Sequence, residues 1–238
     1  IKEINTILEH NSDKEGRILG IGMGIPGLID PKQGYISYSP ELSWRDVRMK
    51  EIFRKHFDGG IVIEERTRAM ASAEMRIGRA QNVKNFLYVN ISSGIGSAIV
   101  MNGNLYYGNN KSSGRLGHMV VEKDGFSCNC GNHGCLEVMI SEQALKNRIP
   151  EFGQIPSLSA LSEITFSDLG KAATFRDPTA LAMVKEMAWE LSIALSNLIS
   201  TVNPSLIVLG GKIPALGEYF LNEVREDLKK TGFRRMVD

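Results

Sequence analysis

Three cysteines and one histidine lie close together in the second half of the chain and constrain how that region folds. Cys128, Cys130 and Cys135 follow the pattern Cys-x-Cys-Gly-x-x-Gly-Cys, and His118 lies ten residues before the first of them. Three thiolates and one imidazole complete a tetrahedral zinc shell, and the intervening glycines let the backbone bend tightly around a metal. The pattern predicts a zinc site, which we expect to be structural because four protein ligands leave no open position for water.

A disulfide and ordinary buried thiols are the alternatives to zinc. An odd count of three cysteines leaves one unpaired whichever disulfide forms. His133 lies inside the cysteine loop and competes with His118 as the fourth ligand. We favour His118, because the short loop from Cys130 to Cys135 would be strained if His133 also turned inward.

Composition excludes several classes of protein. Of the 238 residues, 42% are hydrophobic and 23% are charged, a mixture that can bury a core, so general disorder is excluded. The net charge of +1 does not indicate a basic nucleic-acid-binding surface. No apolar run approaches the roughly 20 residues that span a bilayer, and the start lacks a signal-peptide pattern. We therefore expect a cytoplasmic protein without a membrane partner.

The chain starts without Met in a helix-like stretch that places Ile4, Ile7 and Leu8 on one face, and it ends at Asp238 just after another helical pattern. We expect both ends to be cuts in a longer chain. Hydrophobic periodicity predicts two α/β units, residues 1–84 and a larger unit, residues 85–238.

The predicted elements of the first unit are strand Ile18–Ile25, a hairpin of Leu28–Asp30 and Tyr35–Tyr38, a helical segment in 46–57, strand Ile61–Glu64 and helix Thr67–Gly78. Those of the second are strands Phe86–Ile91 and Ala98–Met101, short helices in 141–176, helix Thr179–Val202, strand Leu206–Leu209 and helix Ala215–Lys230.

Two glycine-rich turns are candidate phosphate sites. Ser93, Gly94 and Gly96 lie between two predicted strands, where backbone N–H groups can cradle a phosphate. A tight hairpin would have the same sequence. Gly210 and Gly211 follow a predicted strand and permit close approach of a flat ligand, but they equally suit a plain strand-to-helix turn.

The segment Gly114-x-x-Gly117-His118, followed by residues 128–137, resembles the signature of the ROK family of repressors, uncharacterised reading frames and sugar kinases. Three further segments are similar to the family's sugar-side loop, second phosphate loop and nucleotide-side turn, and these are Gly24–Asp30, Ser93–Gly96 and Leu209–Gly211. The resemblance extends from about Ile18 to Phe233.

The resemblance implies an actin-like (ribonuclease-H-like) ATPase fold of two α/β domains with a sugar bound in the cleft between them. It also implies a zinc site at His118, Cys128, Cys130 and Cys135, and a homodimer or dimer of dimers whose contact surface lies in the larger unit. The positions that it marks for binding a sugar or other effector are Gly27, Glu65, Arg66, Arg115, His118 and Glu137.

Two of these positions depart from the family pattern. Family kinases carry Glu-Asn-Asp-Ala-Asn, whose Asp is the general base for the sugar hydroxyl, whereas residues 64–68 here read Glu-Glu-Arg-Thr-Arg. Arg66 takes the position of the base, and a guanidinium with a pKa above about 12 cannot remove a proton. Arg115 replaces a sugar-contacting Glu, while His118 and Glu137 are retained. The sequence therefore predicts no catalytic residue.

The two arginines have two interpretations. They tune the pocket for an anionic ligand, since Arg forms bidentate pairs with phosphate or carboxylate. Alternatively, Arg66 and Arg115 pair with Glu65 and Glu137 across a vestigial pocket.

Three functions remain open. The first is the sugar-sensing and dimerising part of a ROK transcriptional regulator, which would bind DNA through a region that precedes Ile1. The second is an ATP-dependent sugar kinase, which would need Mg²⁺ and phosphates held near Ser93–Gly96, with a carboxylate such as Glu65 as base. The third is a zinc-stabilised scaffold that has lost both roles.

Overall fold

The computed structural model describes residues 3, 6, 18–159 and 161–231. The pattern of Ile4, Ile7 and Leu8 and the residues after 231 lie outside this part. The strands are β1 (Gly20–Ile25), β2 (Leu28–Asp30), β3 (Tyr35–Ser39), β4 (Trp44–Val47), β5 (Gly60–Glu65), β6 (Phe86–Ile91), β7 (Ile95–Met101), β8 (Asn104–Tyr106) and β9 (Leu206–Gly211). The helices are α1 (Met49–Arg54), α2 (Arg66–Ile77), α3 (Leu136–Ile140), α4 (Leu145–Phe152), α5 (Phe166–Thr174), α6 (Pro178–Val202) and α7 (Gly217–Thr231). Short 3-10 helices cover Leu116–His118, Glu142–Ala144 and Ile213–Leu216.

The N-terminal part contains two small sheets. Strands β1 and β5 pair in parallel, and β2, β3 and β4 form an antiparallel sheet in that order. The antiparallel pairing of β2 with β3 confirms the predicted hairpin of Leu28–Asp30 and Tyr35–Tyr38. Its core is a separate cluster of Ile25, Ile29, Ile36, Met49, Phe53, Phe57, Ile61 and Ile63.

The C-terminal part is built on one four-stranded sheet with the order β8-β7-β6-β9. Strand β6 is buried along its whole length, antiparallel to β7 and parallel to β9. Helix α6 packs in the largest core cluster and begins at the Asp177 side chain, which accepts a hydrogen bond from the Ala180 N–H at 2.9 Å. It ends where Asn203 adopts the left-handed conformation, with φ of 48°.

Helix α2 connects the two parts. It contacts β1 and β5 on one side and β6 and β7 on the other. Ala71 of this helix is fully buried in a third core cluster together with Phe86, Ala98 and Val100. The start of α2, directly after β5, therefore lies where the two parts meet.

The helical segment predicted across 46–57 is wrong in its first residues, because 44–47 form β4 and α1 is only six residues long. Ser43 and Asp46 adopt positive φ angles of 54° and 56°. These conformations turn the chain back so that β4 pairs with β3. The pairing overrides the apparent helical spacing.

Two predicted turns also prove to be strand. Gly210 and Gly211 continue β9 and pair with Asn90 and Ile91 of β6. The predicted strand Ala98–Met101 begins earlier, at Ile95, so the glycine-rich turn between β6 and β7 is shorter than expected. Within the described residues, no helix has both the length and the apolarity needed to cross a membrane.

Candidate metal centre and ligand cleft

His118, Cys128, Cys130 and Cys135 form one cluster, and their ligand atoms all lie within 4.8 Å of one another. The Cys130 and Cys135 Sγ atoms are 3.6 Å apart, and Cys128 Sγ lies 3.7 Å from His118 Nδ1. Zinc–sulfur bonds of about 2.3 Å in a tetrahedron give a sulfur–sulfur distance of about 3.8 Å. The spacing of the donors therefore fits a tetrahedral metal ion, and the cluster can hold one.

Backbone turns within residues 118–135, which we call the knuckle, bring these donors together. The Cys128 N–H donates to the Asn132 carbonyl at 2.8 Å, and the Gly131 N–H donates to the Cys128 carbonyl at 3.0 Å. Gly134 has a φ of 63°, and a Cβ there would collide with the Glu122 carbonyl oxygen. This position therefore requires glycine.

The two histidines near the cysteines differ in position. His118 ends a 3-10 helix, is half-buried and belongs to the cluster. His133 is exposed and lies on the loop opposite Ser127. Burial raises the pKa of the Cys135 thiol to about 12.

The predicted base position lies at the start of α2, but its side chain is already paired. Both terminal nitrogens of Arg66 donate to the Glu41 carboxylate at 3.2 Å. The two side chains are 39% and 57% exposed, so this pair is a surface ion pair. The expectation that Arg66 pairs with Glu65 or Glu137 is therefore wrong, because the β3–β4 turn supplies a different carboxylate.

A buried polar group that the sequence analysis did not identify joins the two parts of the chain. The Arg68 side chain is 3% exposed and its Nε donates to Glu64 Oε1 at 2.8 Å. Its other nitrogens donate to the carbonyls of Lys111 at 3.2 Å and Ile29 at 3.4 Å. The Tyr107 hydroxyl donates to Glu64 Oε2 at 2.8 Å, and the Arg68 guanidinium lies 5.0 Å from the Tyr107 ring centre.

We call Glu64, Arg68 and Tyr107 the cross-unit bridge. Burial and the hydrogen bond to Glu64 raise the pKa of Tyr107 to about 12. Glu64 and Arg68 are four residues apart, but no local spacing marks Tyr107 as their partner, since it follows Glu64 by 43 residues. The signal in the sequence was Arg68 itself, which stands where the family pattern has Asn.

Glu65, Glu137 and Arg115 are three of the charged residues that the resemblance marks for binding an effector. Glu65 Oε2 accepts the Arg68 N–H at 3.0 Å and caps α2, and Glu137 Oε2 accepts the Ile95 N–H at 2.7 Å. The pKa of Arg115 is lowered, chiefly because surrounding protein removes water from the guanidinium. The negative charges of Glu65 and Glu137 oppose this effect, and the positive charge of Arg68 adds to it.

The glycines of the predicted phosphate turns are required by protein contacts. A Cβ at Gly94 would lie 2.8 Å from Glu137 Oε2, and one at Gly96 would collide with Thr67 Oγ1. Ser93 is exposed beside Gly94. These close approaches explain the glycines without a bound phosphate.

The remaining glycines also occupy crowded places. A Cβ at Gly210 would collide with the Tyr88 hydroxyl, and one at Gly211 would lie 2.6 Å from Asn90 Oδ1. Gly27 has a φ of 130°, and a Cβ there would collide with the Tyr38 carbonyl.

Comparison with known proteins identifies one family model and finds relatives among both repressors and kinases. A family model described as the ROK family matches residues 1–236. A putative xylose repressor of Caldicellulosiruptor sp. (strain Rt8B.4) is 32% identical over 222 residues, which cover 91% of this chain and 56% of the repressor. A glucokinase of Halalkalibacterium halodurans is 30% identical over 237 residues, covering 96% of this chain and 72% of the kinase.

Among solved structures, a ROK family transcriptional regulator described as a homolog of E. coli MLC protein superposes with a TM-score of 0.91 at 26% identity. The match covers 99% of this chain and 60% of that one. The chain spans about half the length of the repressors that it matches.

Proposed function

The chain belongs to the ROK family and has its actin-like α/β fold, and from this premise we propose that it is the effector-binding and dimerising part of a transcriptional regulator that senses a sugar without phosphorylating it. One observation carries the proposal. The residue at the general-base position is Arg66, whose guanidinium is bound to Glu41 and cannot accept a proton.

The neighbouring carboxylates support this function because each already has a structural role. Glu64 is held by Arg68 and Tyr107 in the cross-unit bridge. Glu65 caps α2 through the Arg68 N–H. A general base must reach the substrate hydroxyl within hydrogen-bond distance. Recruiting either residue as a base would disturb the start of α2.

Sensing follows from the position of α2 between the two parts of the chain. We take residues 1–84 and 85–238 as the two domains. An effector bound between them favours one cleft opening over another and changes the arrangement of the dimer. A DNA-binding region outside this chain then binds its operator in one dimer arrangement and not in the other. We place the protein in the cytoplasm, where its operator DNA would be.

Zinc is part of the proposal and has a structural role. His118, Cys128, Cys130 and Cys135 supply four donors at distances that fit a tetrahedral ion. Zinc bound in this way stabilises the fold, and a closed shell has no position for a reactive water.

The test is an assay of ADP release by the full-length protein with ATP, Mg²⁺ and a panel of hexoses and amino sugars. We expect no turnover above background from the native protein, together with a sugar-dependent rise in melting temperature. The Arg66→Asp variant, which restores a carboxylate, is the matched comparison. Turnover by the native protein overturns the proposal.

A sugar kinase is the second candidate. The glucokinase relative is similar over 96% of this chain, which favours it. Glu65 Oε1 makes no hydrogen bond within the described residues and is the carboxylate oxygen that would act as base. In that case Glu65→Gln abolishes ADP release, whereas Glu41→Gln leaves it unchanged.

A further inference from the structure

Arg68 is the point at which three separate segments of the chain are hydrogen-bonded to one side chain. Its Nε donates to Glu64 at the end of β5, and its two terminal nitrogens donate to the Ile29 and Lys111 carbonyls. Ile29 and Glu64 belong to the first part of the chain, whereas Lys111 belongs to the second. One guanidinium therefore fixes two segments of the first part against one segment of the second.

The third acceptor lies in a loop of residues 107–113, which we call the strap, and the strap is itself held in place. The Ser113 N–H donates to the Tyr107 carbonyl at 3.1 Å and closes the loop. The carbonyl of the next residue, Gly114, accepts hydrogen bonds from the Ser97 N–H at 3.2 Å and the Ser97 hydroxyl at 3.1 Å. Because Ser97 belongs to β7, the strap connects Arg68 to the sheet of the second part.

Arg68 is too deeply buried to bind a ligand itself. Its side chain is 3% exposed, and each of its three nitrogens already donates to the protein. Two candidate effector positions lie beside its acceptors, since Gly27 precedes Ile29 by two residues and Glu65 directly follows Glu64. Arg68 can therefore act on a bound effector only through the placement of these segments.

The placement of the segments matters because an effector between the two parts binds only while both walls of the cleft are correctly positioned. When the binding-competent arrangement is only partly populated, the apparent affinity falls in proportion to that population. A guanidinium is planar and holds several donors in a fixed fork, so it constrains direction as well as distance. A lysine in its place would keep the charge beside Glu64, but one nitrogen would replace three.

We propose that Arg68 is a positioning residue of the effector site, which holds residues 24–30, the start of α2 and the strap in the arrangement that binds the effector. The inference rests on the proposed sensing function and adds the residue that keeps the cleft walls in place. Tyr107 supports the same arrangement, because its hydroxyl donates to the second oxygen of Glu64.

The experiment measures binding of a panel of hexoses and amino sugars to the full-length protein by calorimetry, together with melting temperature and metal content. Arg68→Lys should bind its sugar at least about tenfold more weakly than the native protein, as expected when hydrogen bonds to a charged group are lost. Tyr107→Phe keeps the ring and loses one hydrogen bond, so its affinity should fall about two- to tenfold. This second variant carries the test if Arg68→Lys does not fold.

Arg148→Lys is the matched control for a purely structural effect. The Arg148 side chain is also 3% exposed, and it donates to Glu190 and to the Met139 carbonyl. Both lysine variants should lower the melting temperature, since each loses buried hydrogen bonds. Arg148→Lys should retain the native affinity, because the partners of Arg148 among the described residues all lie in the second part of the chain.

The outcomes separate this inference from the proposed function. Native affinity in Arg68→Lys, or the same loss of affinity in Arg68→Lys and Arg148→Lys, overturns the positioning role and leaves the sensor standing. If Arg68→Lys does not fold, native affinity in Tyr107→Phe overturns it instead. Absence of binding by the native protein to every sugar overturns both. ATP-dependent phosphorylation of a bound sugar overturns the non-catalytic function and leaves the role of Arg68 standing.

Discussion

The knuckle and the cross-unit bridge are both built from polar side chains, but they are assembled in different ways. The four donors of the knuckle come from 18 consecutive residues, held together by tight local turns. The bridge joins Glu64 and Arg68 to Tyr107, and it also uses the carbonyls of Ile29 and Lys111. A local motif therefore carries its geometry with it, whereas the bridge exists only when both parts of the chain are folded against each other.

The largest expected effect breaks the knuckle. Cys135→Ser removes a thiolate, so we expect loss of the metal and of most of the folded population, because structural zinc contributes about 10–16 kcal/mol of apparent binding energy in small zinc domains. Metal analysis and thermal unfolding measure the change. His133→Ala is the matched control, since His133 is exposed and outside the cluster. Equal metal loss in both variants would contradict the assignment of His118.

The next effect breaks the bridge. Arg68→Met leaves Glu64 without its buried cation, which should lower the free energy of unfolding by about 3–5 kcal/mol. Arg66→Met, two residues away, removes an exposed pair and should cost about 0–1 kcal/mol. Urea denaturation compares the two variants. Equal losses in the free energy of unfolding would contradict the prediction that the buried pair stabilises the fold more than the exposed pair does.

A third prediction tests the contact between α2 and the sheet of the second part. Gly96→Ala should lower the free energy of unfolding by about 1–3 kcal/mol, because the new methyl group collides with Thr67 Oγ1. Thr67→Ala removes that oxygen and should restore part of the loss. A double-mutant cycle in urea measures the coupling between the two positions. Additive changes would show that they do not touch.

The smallest effect appears only at alkaline pH. The pKa of Tyr107 in the folded protein is raised to about 12, so Tyr107 stays neutral there when the unfolded chain ionises. Tyr107 makes its full contribution to the free energy of unfolding below about pH 10, and this contribution is lost between about pH 10 and 12. The difference between the native protein and Tyr107→Phe should shrink over that range. Tyr106→Phe, at an exposed neighbour, is the control; the same pH dependence in both variants would contradict the bridge.

The sequence predicted most of the elements, and the reasons for its failures are physical. Long apolar periods such as that of α6 were found almost to the residue, because one face of a helix must be buried. Residues 46 and 47 were misassigned to a helix, since a strand of four residues that is paired only at one edge leaves too short a pattern to be distinguished from a helix. Gly210 and Gly211 read as a turn, although pairing with β6 extends them as strand.

The same division applies to the candidate site. The donors of the metal centre could be predicted from residue type and spacing, and the departures at Arg66 and Arg115 from the resemblance to the ROK family. The partner of Arg66 could not be predicted, because Glu41 lies 25 residues earlier, in the β3–β4 turn. The bridge through Tyr107 could not either, because its residues lie 43 positions apart.

The sequence alone determined the family, the α/β class and the four clustered metal donors, because each of these depends on local spacing and on residue chemistry. The tertiary structure decided which arginines are already paired. Arg66, Arg68 and Arg115 carry the same charge, but among the described residues a carboxylate accepts hydrogen bonds from the guanidinium of Arg66 and of Arg68 and not from that of Arg115. The Arg66–Glu41 pair depends on tertiary structure because 25 residues separate the two side chains, and the burial of the Arg68–Glu64 pair depends on the packing around α2.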